Sequence, residues 1–170
     1  MIEIPITEEQ IKKARSKAND LGILRNSIES GNGNFVGFLG EIVVADYYGW
    51  KEENTYDYDV LFKHYKIDVK TKRRTVKPRL DYFATVFDFN TKQKCDYYFF
   101  VSIYNESLAH LMGIIKKQKF YEMASFHKKG DYDVTSPPSK PFYFKAPCYN
   151  LRYSQLFQAE KIVKYERTNL

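Results

Sequence analysis

Two short runs rich in β-branched and aromatic residues, each tied to an aspartate, most constrain what this chain can fold into. Tyr58-Asp59-Val60-Leu61-Phe62 is followed, after Lys63-His64, by Tyr65-Lys66-Ile67-Asp68-Val69-Lys70. Such runs read as strands, near Asp57–Phe62 and Tyr65–Lys72, and the short break between them reads as a hairpin. Side chains alternate along a strand, so Asp68 and Lys70 share one face while Ile67 and Val69 point into a core. The partner strand then brings Asp59 towards the same place. Asp57 has the same parity, so alternation leaves the two open. Asp59 is preferred because it directly precedes the apolar run, with Asp57 as the reserve metal ligand.

The 170 residues are enough for one domain with a substantial core. The expected division is an N-terminal helical extension over 1–33, a core over 34–130 and a C-terminal arm over 131–170. Hydrophobic residues make up 44% of the chain, and 15 Tyr and 13 Phe give the core an aromatic supply. The longest apolar runs, such as Tyr97–Ile103, are too short to span a bilayer. Met1–Ile6 leads into charged residues and not into a signal-peptide core, so a cytoplasmic location is expected. Cys95 and Cys148 form no Cys-x-x-Cys pair, and His64, His110 and His127 are scattered, which argues against a zinc site.

Thr7-Glu8-Glu9-Gln10 is a capping-box pattern, and Ile11, Ala14, Ala18, Leu21 and Ile28 continue at helical spacing. A second helix is expected over Phe35–Tyr48, with Asn34 as N-cap and Gly49 as stop. Glycine inside a helix costs roughly 1 kcal/mol relative to alanine. Gly37, one turn before Glu41, is therefore expected to let that face approach a sheet. After the hairpin, Tyr82–Phe87 reads as a third strand, Asp96–Tyr104 and Leu108–Ile115 as two more. Lys117–His127 reads as a helix ending near Gly130, Asp131–Pro147 as an irregular arm, and Leu151–Ala159 as a short last helix. The fold class is α/β or α+β, with a central mixed sheet of about five strands flanked by helices.

Acids and a lysine arranged in this way suit phosphodiester hydrolysis. A divalent cation polarises the phosphoryl oxygen, orients a water and steadies the leaving oxygen. Mg²⁺ takes octahedral oxygen ligands at about 2.0–2.1 Å and keeps several waters, so few protein ligands suffice. Asp59, Asp68 and the Val69 carbonyl are the candidate ligands, with Glu41 as a third acid from the second helix. Lys70 is placed to hold the water, to neutralise charge on phosphorus or to act as base. An isolated Asp-x-Lys is ordinarily a surface ion pair. An upstream aspartate at hairpin distance and a helical glutamate make coincidence less plausible.

These residues resemble the PD-(D/E)XK superfamily of restriction-endonuclease-like nucleases, in particular its small stand-alone phage-type members. The resemblance rests on Gly40-Glu41, Asp59-Val60-Leu61 and Asp68-Val69-Lys70, and extends over Phe35–His127. No proline precedes Asp57 or Asp59. It implies a restriction-endonuclease-like core and a Mg²⁺-dependent deoxyribonuclease, with Mn²⁺ expected to substitute. The product ends would be 5′-phosphate and 3′-hydroxyl. The family places a crossover helix between its third and fourth strands, whereas only Asp88–Cys95 separates them here, and a parallel crossover needs a dozen or more residues.

Net charge is +6. Lys63, Lys66, Lys70, Lys72, Arg73, Arg74, Lys77 and Arg79 stand against the single acid Asp68. Beside such a site Lys72, Arg73, Arg74, Lys77 and Arg79 are expected to contact DNA phosphates. An endonuclease is the first expectation, and cleavage of both strands would call for a homodimer. The alternatives are a non-catalytic nucleic-acid-binding or assembly protein on the same fold, and a junction resolvase or RNA-directed nuclease.

Overall fold

The computed structural model describes residues 1–21 and 32–160. Strand β1 (Ile2–Pro5) leads into helix α1 (Glu8–Leu21). The predicted capping box forms: Gln10 N–H donates to Thr7 Oγ1 at 3.2 Å, and Thr7 N–H donates to Gln10 Oε1 at 3.1 Å. Ile28, counted above as part of this helix, lies outside the described residues. Helix α2 spans Asn32–Tyr48, so Asn34 sits inside the helix and not at its cap. The first turn tolerates this because its N–H groups have no intrahelical partners to lose. Gly49, at φ 66°, ends the helix as expected, and Trp50 N–H closes back onto Ala45 O at 2.9 Å.

A short strand β2 (Lys51–Glu52) precedes the hairpin of β3 (Val60–Phe62) and β4 (Tyr65–Arg74). β3 is shorter than predicted because Thr55 organises a turn over 55–58. Its hydroxyl accepts from Asp57 N–H and Tyr58 N–H at 3.2 and 3.0 Å. The chain continues through β5 (Phe83–Phe87), a 3₁₀ turn over Asp88–Lys92, β6 (Tyr97–Tyr104) and β7 (Leu108–Lys116). Helix α3 (Lys117–Met123), β8 (Ser125–His127) and β9 (Cys148–Arg152) complete it.

The architecture is α+β. A six-stranded mixed sheet has the order β1-β7-β6-β4-β3-β2, and a separate three-stranded sheet has the order β5-β9-β8. Among the described residues only β4 and β6 run parallel; the other pairings in both sheets are antiparallel. β1 pairs with the edge of β7, which builds the first residues into the main sheet. The strand predicted at Tyr82–Phe87 exists, but it belongs to the small sheet. The β4-to-β6 crossover therefore runs from Thr75 to Asp96, long enough for a parallel connection, and it carries a strand and a 3₁₀ turn in place of a helix.

The place of β6 at the centre of the sheet explains why its sequence reads as an almost continuous apolar run, interrupted by Ser102. Tyr97, Phe99, Val101 and Ile103 face a core shared with Leu39, Ile42 and Val43 of α2. Tyr98 and Phe100 face a second core with Val86, Phe120 and Leu151. A strand covered on both faces keeps no polar side. One cover is helical; the other is the small sheet with α3.

Two predicted helices are corrected by long-range pairing. The one placed at Lys117–His127 stops at Met123, because Ser125, Phe126 and His127 pair with Asn150, Tyr149 and Cys148. The one placed at Leu151–Ala159 is the end of β9 and a 3₁₀ turn, since Leu151 pairs with Ala84 and is buried. The 131–147 segment is irregular, as expected, apart from an isolated bridge between Tyr132 and Tyr143.

Candidate active site

The site lies at the start of β3, where β4 continues beyond its partner. Asp59 N–H donates to Ile67 O at 3.0 Å, the last backbone bond before the strands part. The Asp59 side chain then takes over the ladder: its Oδ2 accepts from Val69 N–H at 2.6 Å. Ile67 O is used by the β3 side and Lys66 O by Asp96 N–H of the β6 side. Backbone groups alternate along a strand, so the Val69 carbonyl also points to the Asp59 side.

Asp68 and Lys70 share the opposite face to Ile67 and Val69, as alternation requires. Asp68 is buried at 3% exposure, and Lys70 Nζ lies 2.6 Å from its Oδ2. No hydrogen bond of good geometry reaches that buried oxygen. Gln93 clasps the pair from the crossover: it accepts from Lys70 Nζ at 3.1 Å and donates to Tyr56 O at 2.9 Å and, weakly, to Asp68 Oδ1 at 3.4 Å. Lys117 Nζ in turn binds the carbonyls of Thr91 and Gln93, fixing the segment that carries the amide.

Glu41 enters from α2. The close approach is made at Gly40, where an added Cβ would collide with Thr71 Oγ1 and stand 2.9 Å from its Cγ2. Gly37, expected to serve this purpose, has no neighbour within 4 Å of the Cβ position and faces open space. Gly37, Phe38, Glu41, Asn54, Tyr56 and Asp59 line a cleft of about 450 Å³. With its amide oriented to suit both neighbours, Asn54 donates to Glu41 Oε2 at 2.8 Å and accepts from Lys17 Nζ at 2.7 Å. Lys17 and Lys13 of α1 also pair with Glu52.

The acids are electrostatically linked. Burial pushes Glu41 up to about 7, reinforced by Asp68 and Glu52 and opposed by Lys17 and Lys70. Burial also holds Asp59 well above the usual carboxylate range, with Glu41 and Asp68 adding to the effect and the Val69 bond working against it. Glu41, Asp59, Asp68 and Lys70 thus sense one another across the start of β3, with Glu41 and Asp59 on the cleft wall. Among the described residues, no group of three or more His, Cys, Asp or Glu side chains is drawn tightly enough together to hold a metal ion. The donors that do suit Mg²⁺ are the carboxylates of Asp59 and Asp68 with the Val69 carbonyl. Asp68 Oδ2, paired with the Lys70 ammonium and without a well-directed hydrogen bond, keeps lone pairs that a cation could use. Asp57 is occupied elsewhere, accepting from Lys94 N–H at 3.0 Å.

The basic run is placed differently from its simplest reading. Lys72 does share the face of Asp68 and Lys70, but its ammonium turns inward to Phe83 O at 3.0 Å and Thr85 Oγ1 at 2.7 Å. Arg74 lies over the Tyr82 ring, 4.7 Å from its centroid. Arg73 pairs with Glu106, Lys77 with Glu3 and Arg79 with Asp81. Arg74 is six residues from Asp68, about 20 Å along the strand. This cluster therefore occupies the other end of the sheet.

Gln93, Asn54 and Lys17 were not anticipated. Asp88–Cys95 carries no local pattern that marks a glutamine as a site residue, and Lys17 reads as one of several exposed helix lysines. Comparison with family models and with curated proteins gave no match.

Proposed function

We propose that this chain is a metal-dependent DNA endonuclease of the PD-(D/E)XK type, acting through Glu41, Asp59, Asp68 and Lys70. The observation that carries the reading is the bond from Val69 N–H to Asp59 Oδ2, which holds one aspartate against the Asp68-Val69-Lys70 segment. A restriction-endonuclease-like core is part of the same proposal. It is supported by the sequence of helix α2, the β3–β4 hairpin and the parallel β6.

Bound Mg²⁺ or Mn²⁺ would supply Lewis-acid polarisation of the scissile phosphate and a more acidic water. Asp59 and Asp68 would hold it with the Val69 carbonyl, and Glu41 would face it from the cleft wall. Lys70, steadied by Gln93, orients the attacking water and offsets negative charge developing on phosphorus. The cleft lined by Glu41 and Asp59 would be the strand's way in, and burial strengthens each of these interactions. The product ends are 5′-phosphate and 3′-hydroxyl.

No helix among the described residues is long and apolar enough to cross a membrane. The test is incubation with labelled single-stranded, duplex, flap and four-way DNA, and with RNA, with and without Mg²⁺ or Mn²⁺. Cation-dependent cleavage lost in Asp68→Ala, with DNA binding retained, is the expected result. Binding without cleavage of any form would replace the enzyme by a nucleic-acid-binding protein. Preference for four-way DNA or RNA would redirect the substrate to a junction resolvase or ribonuclease.

A further inference from the structure

We propose that the pocket between the β5–β9 face and the 131–147 segment binds one unpaired nucleotide of the DNA strand, through Lys72, Lys145 and the surrounding phenylalanine rings. The choice of a nucleotide rests on the nuclease reading; the pocket's preference for a flat anion stands on its own. Its walls include Lys72, Phe83, Phe87, Phe142, Lys145 and Asn150 around a cavity of about 340 Å³. That is at the small end of ligand pockets and suits one nucleotide at most.

Lys72 supplies the charge. An ammonium has three donors, and two are spent on Phe83 O and Thr85 Oγ1. Among the described residues no carboxylate pairs with it. Burial lowers its affinity for the proton, to a value of about 8, with Arg74 adding to the effect. A half-buried cation without a counter-ion gains from an incoming anion. Lys145 at the exposed rim adds a second positive charge. Asp133, the acid on the wall, is engaged within its own turn, where its Oδ1 accepts from Thr135 N–H and Oγ1.

The rest of the wall suits a base. Thr85 Oγ1 donates to Asn150 Oδ1 at 2.5 Å, which fixes that buried amide. No hydrogen bond among the described residues uses its Nδ2, so two donors remain for a base edge. Phe142 stands 45% exposed, packed edge-on against Phe144 at 5.6 Å between centroids. A half-exposed ring at a charged rim is a stacking platform for an unpaired base. Lys72 also lies two residues beyond Lys70 on the same face of β4, about 7 Å along the strand.

The experiment is calorimetric titration with thymidine 5′-monophosphate in the presence of a chelator, which separates binding from cleavage. Wild type should bind it. Phe142→Ala and Lys145→Ala, both at exposed positions, should each weaken binding by about tenfold. Thymidine without the phosphate should lose its dependence on Lys145. A short single-stranded oligonucleotide should compete. No binding by wild type, or binding unchanged in both variants, would overturn the proposal. Loss in Asp68→Ala alone would do the same by moving the nucleotide to the acid cluster, and failure of the oligonucleotide to compete would overturn the strand assignment. A Phe142-dependent nucleotide site in a protein that cleaves no DNA would leave the pocket standing and remove the nuclease reading.

Discussion

Asp59 and Val69 are ten positions apart, and the side chain of the first replaces the backbone of β3 in holding the second, at 2.6 Å. The carboxylate is thereby fixed by the sheet itself. Its position depends on the hairpin register, in which Val60 opposes Ile67. A slip of one residue would invert every side chain of β3 relative to β4 and scatter the acids.

Lys70 brings a mostly buried charge to the site, where its ammonium reaches Asp68 and Gln93. Lys70→Ala should lower the cleavage rate at least about a hundredfold, in the range for removing one preorganised electrostatic partner. Thermal unfolding should remain cooperative, at a lowered midpoint because Asp68 is left buried without its ion-pair partner. Full turnover in this variant would exclude lysine from the reaction.

Glu41 ties stability to pH. Its value rises from the ordinary 4.5 to about 7 on folding. Between those values the folded state holds a proton that the unfolded chain releases. Stability is fully present below the unfolded value and declines as pH rises through the folded one, by up to about 3 kcal/mol. Asp59 acts in the same direction. Urea midpoints in chelator should therefore fall from about pH 5 to about pH 8, and Glu41→Gln should flatten the decline. Mg²⁺ should restore stability mainly at the higher pH, where the acids are free to bind it. Equal midpoints throughout would mean that Glu41 is ionised across the range.

Gly40 and Gly37 should respond oppositely to alanine. At Gly40 the new methyl meets Thr71, so Gly40→Ala should destabilise by about 1–3 kcal/mol, as overpacking does. At Gly37 no atom stands within 4 Å, and alanine should stabilise α2 by up to about 1 kcal/mol. Denaturant titration of both variants decides the matter. Equal effects would show that α2 does not press on β4 at Gly40.

The basic run should separate into two kinds of residue. Arg74→Ala removes a guanidinium packed over Tyr82 and should reduce stability. Arg73, Lys77 and Arg79 are exposed and held by surface ion pairs to Glu106, Glu3 and Asp81. Their joint replacement by alanine should weaken DNA binding and lower the slope of log affinity against log salt by about 3. An unchanged slope would take that end of the sheet out of the DNA interface.

Local patterns carried the acid and lysine positions, because strand parity depends only on neighbours along the chain. The α1 cap and the Gly49 stop were legible for the same reason. What could not be read was which strands meet. Tyr82–Phe87 has a strand pattern in either sheet, and nothing in it distinguishes β9 from β4 as a partner. Ser125–His127 continues a plausible helix until Cys148–Asn150 pairs with it. Gln93 is the sharpest case: its role comes from a crossover laid over Lys70, and no feature of its own neighbourhood announces that.

The crossover has one further implication. β5 is held in its sheet by β9, and the same stretch of chain goes on to deliver Gln93 to Asp68 and Lys70. A protein cut short before Cys148 would keep every acid and lysine assigned to hydrolysis, yet β5 would lose the neighbour that anchors it. Such a fragment should be catalytically crippled by the slackening of a strand that supplies none of those acids or that lysine.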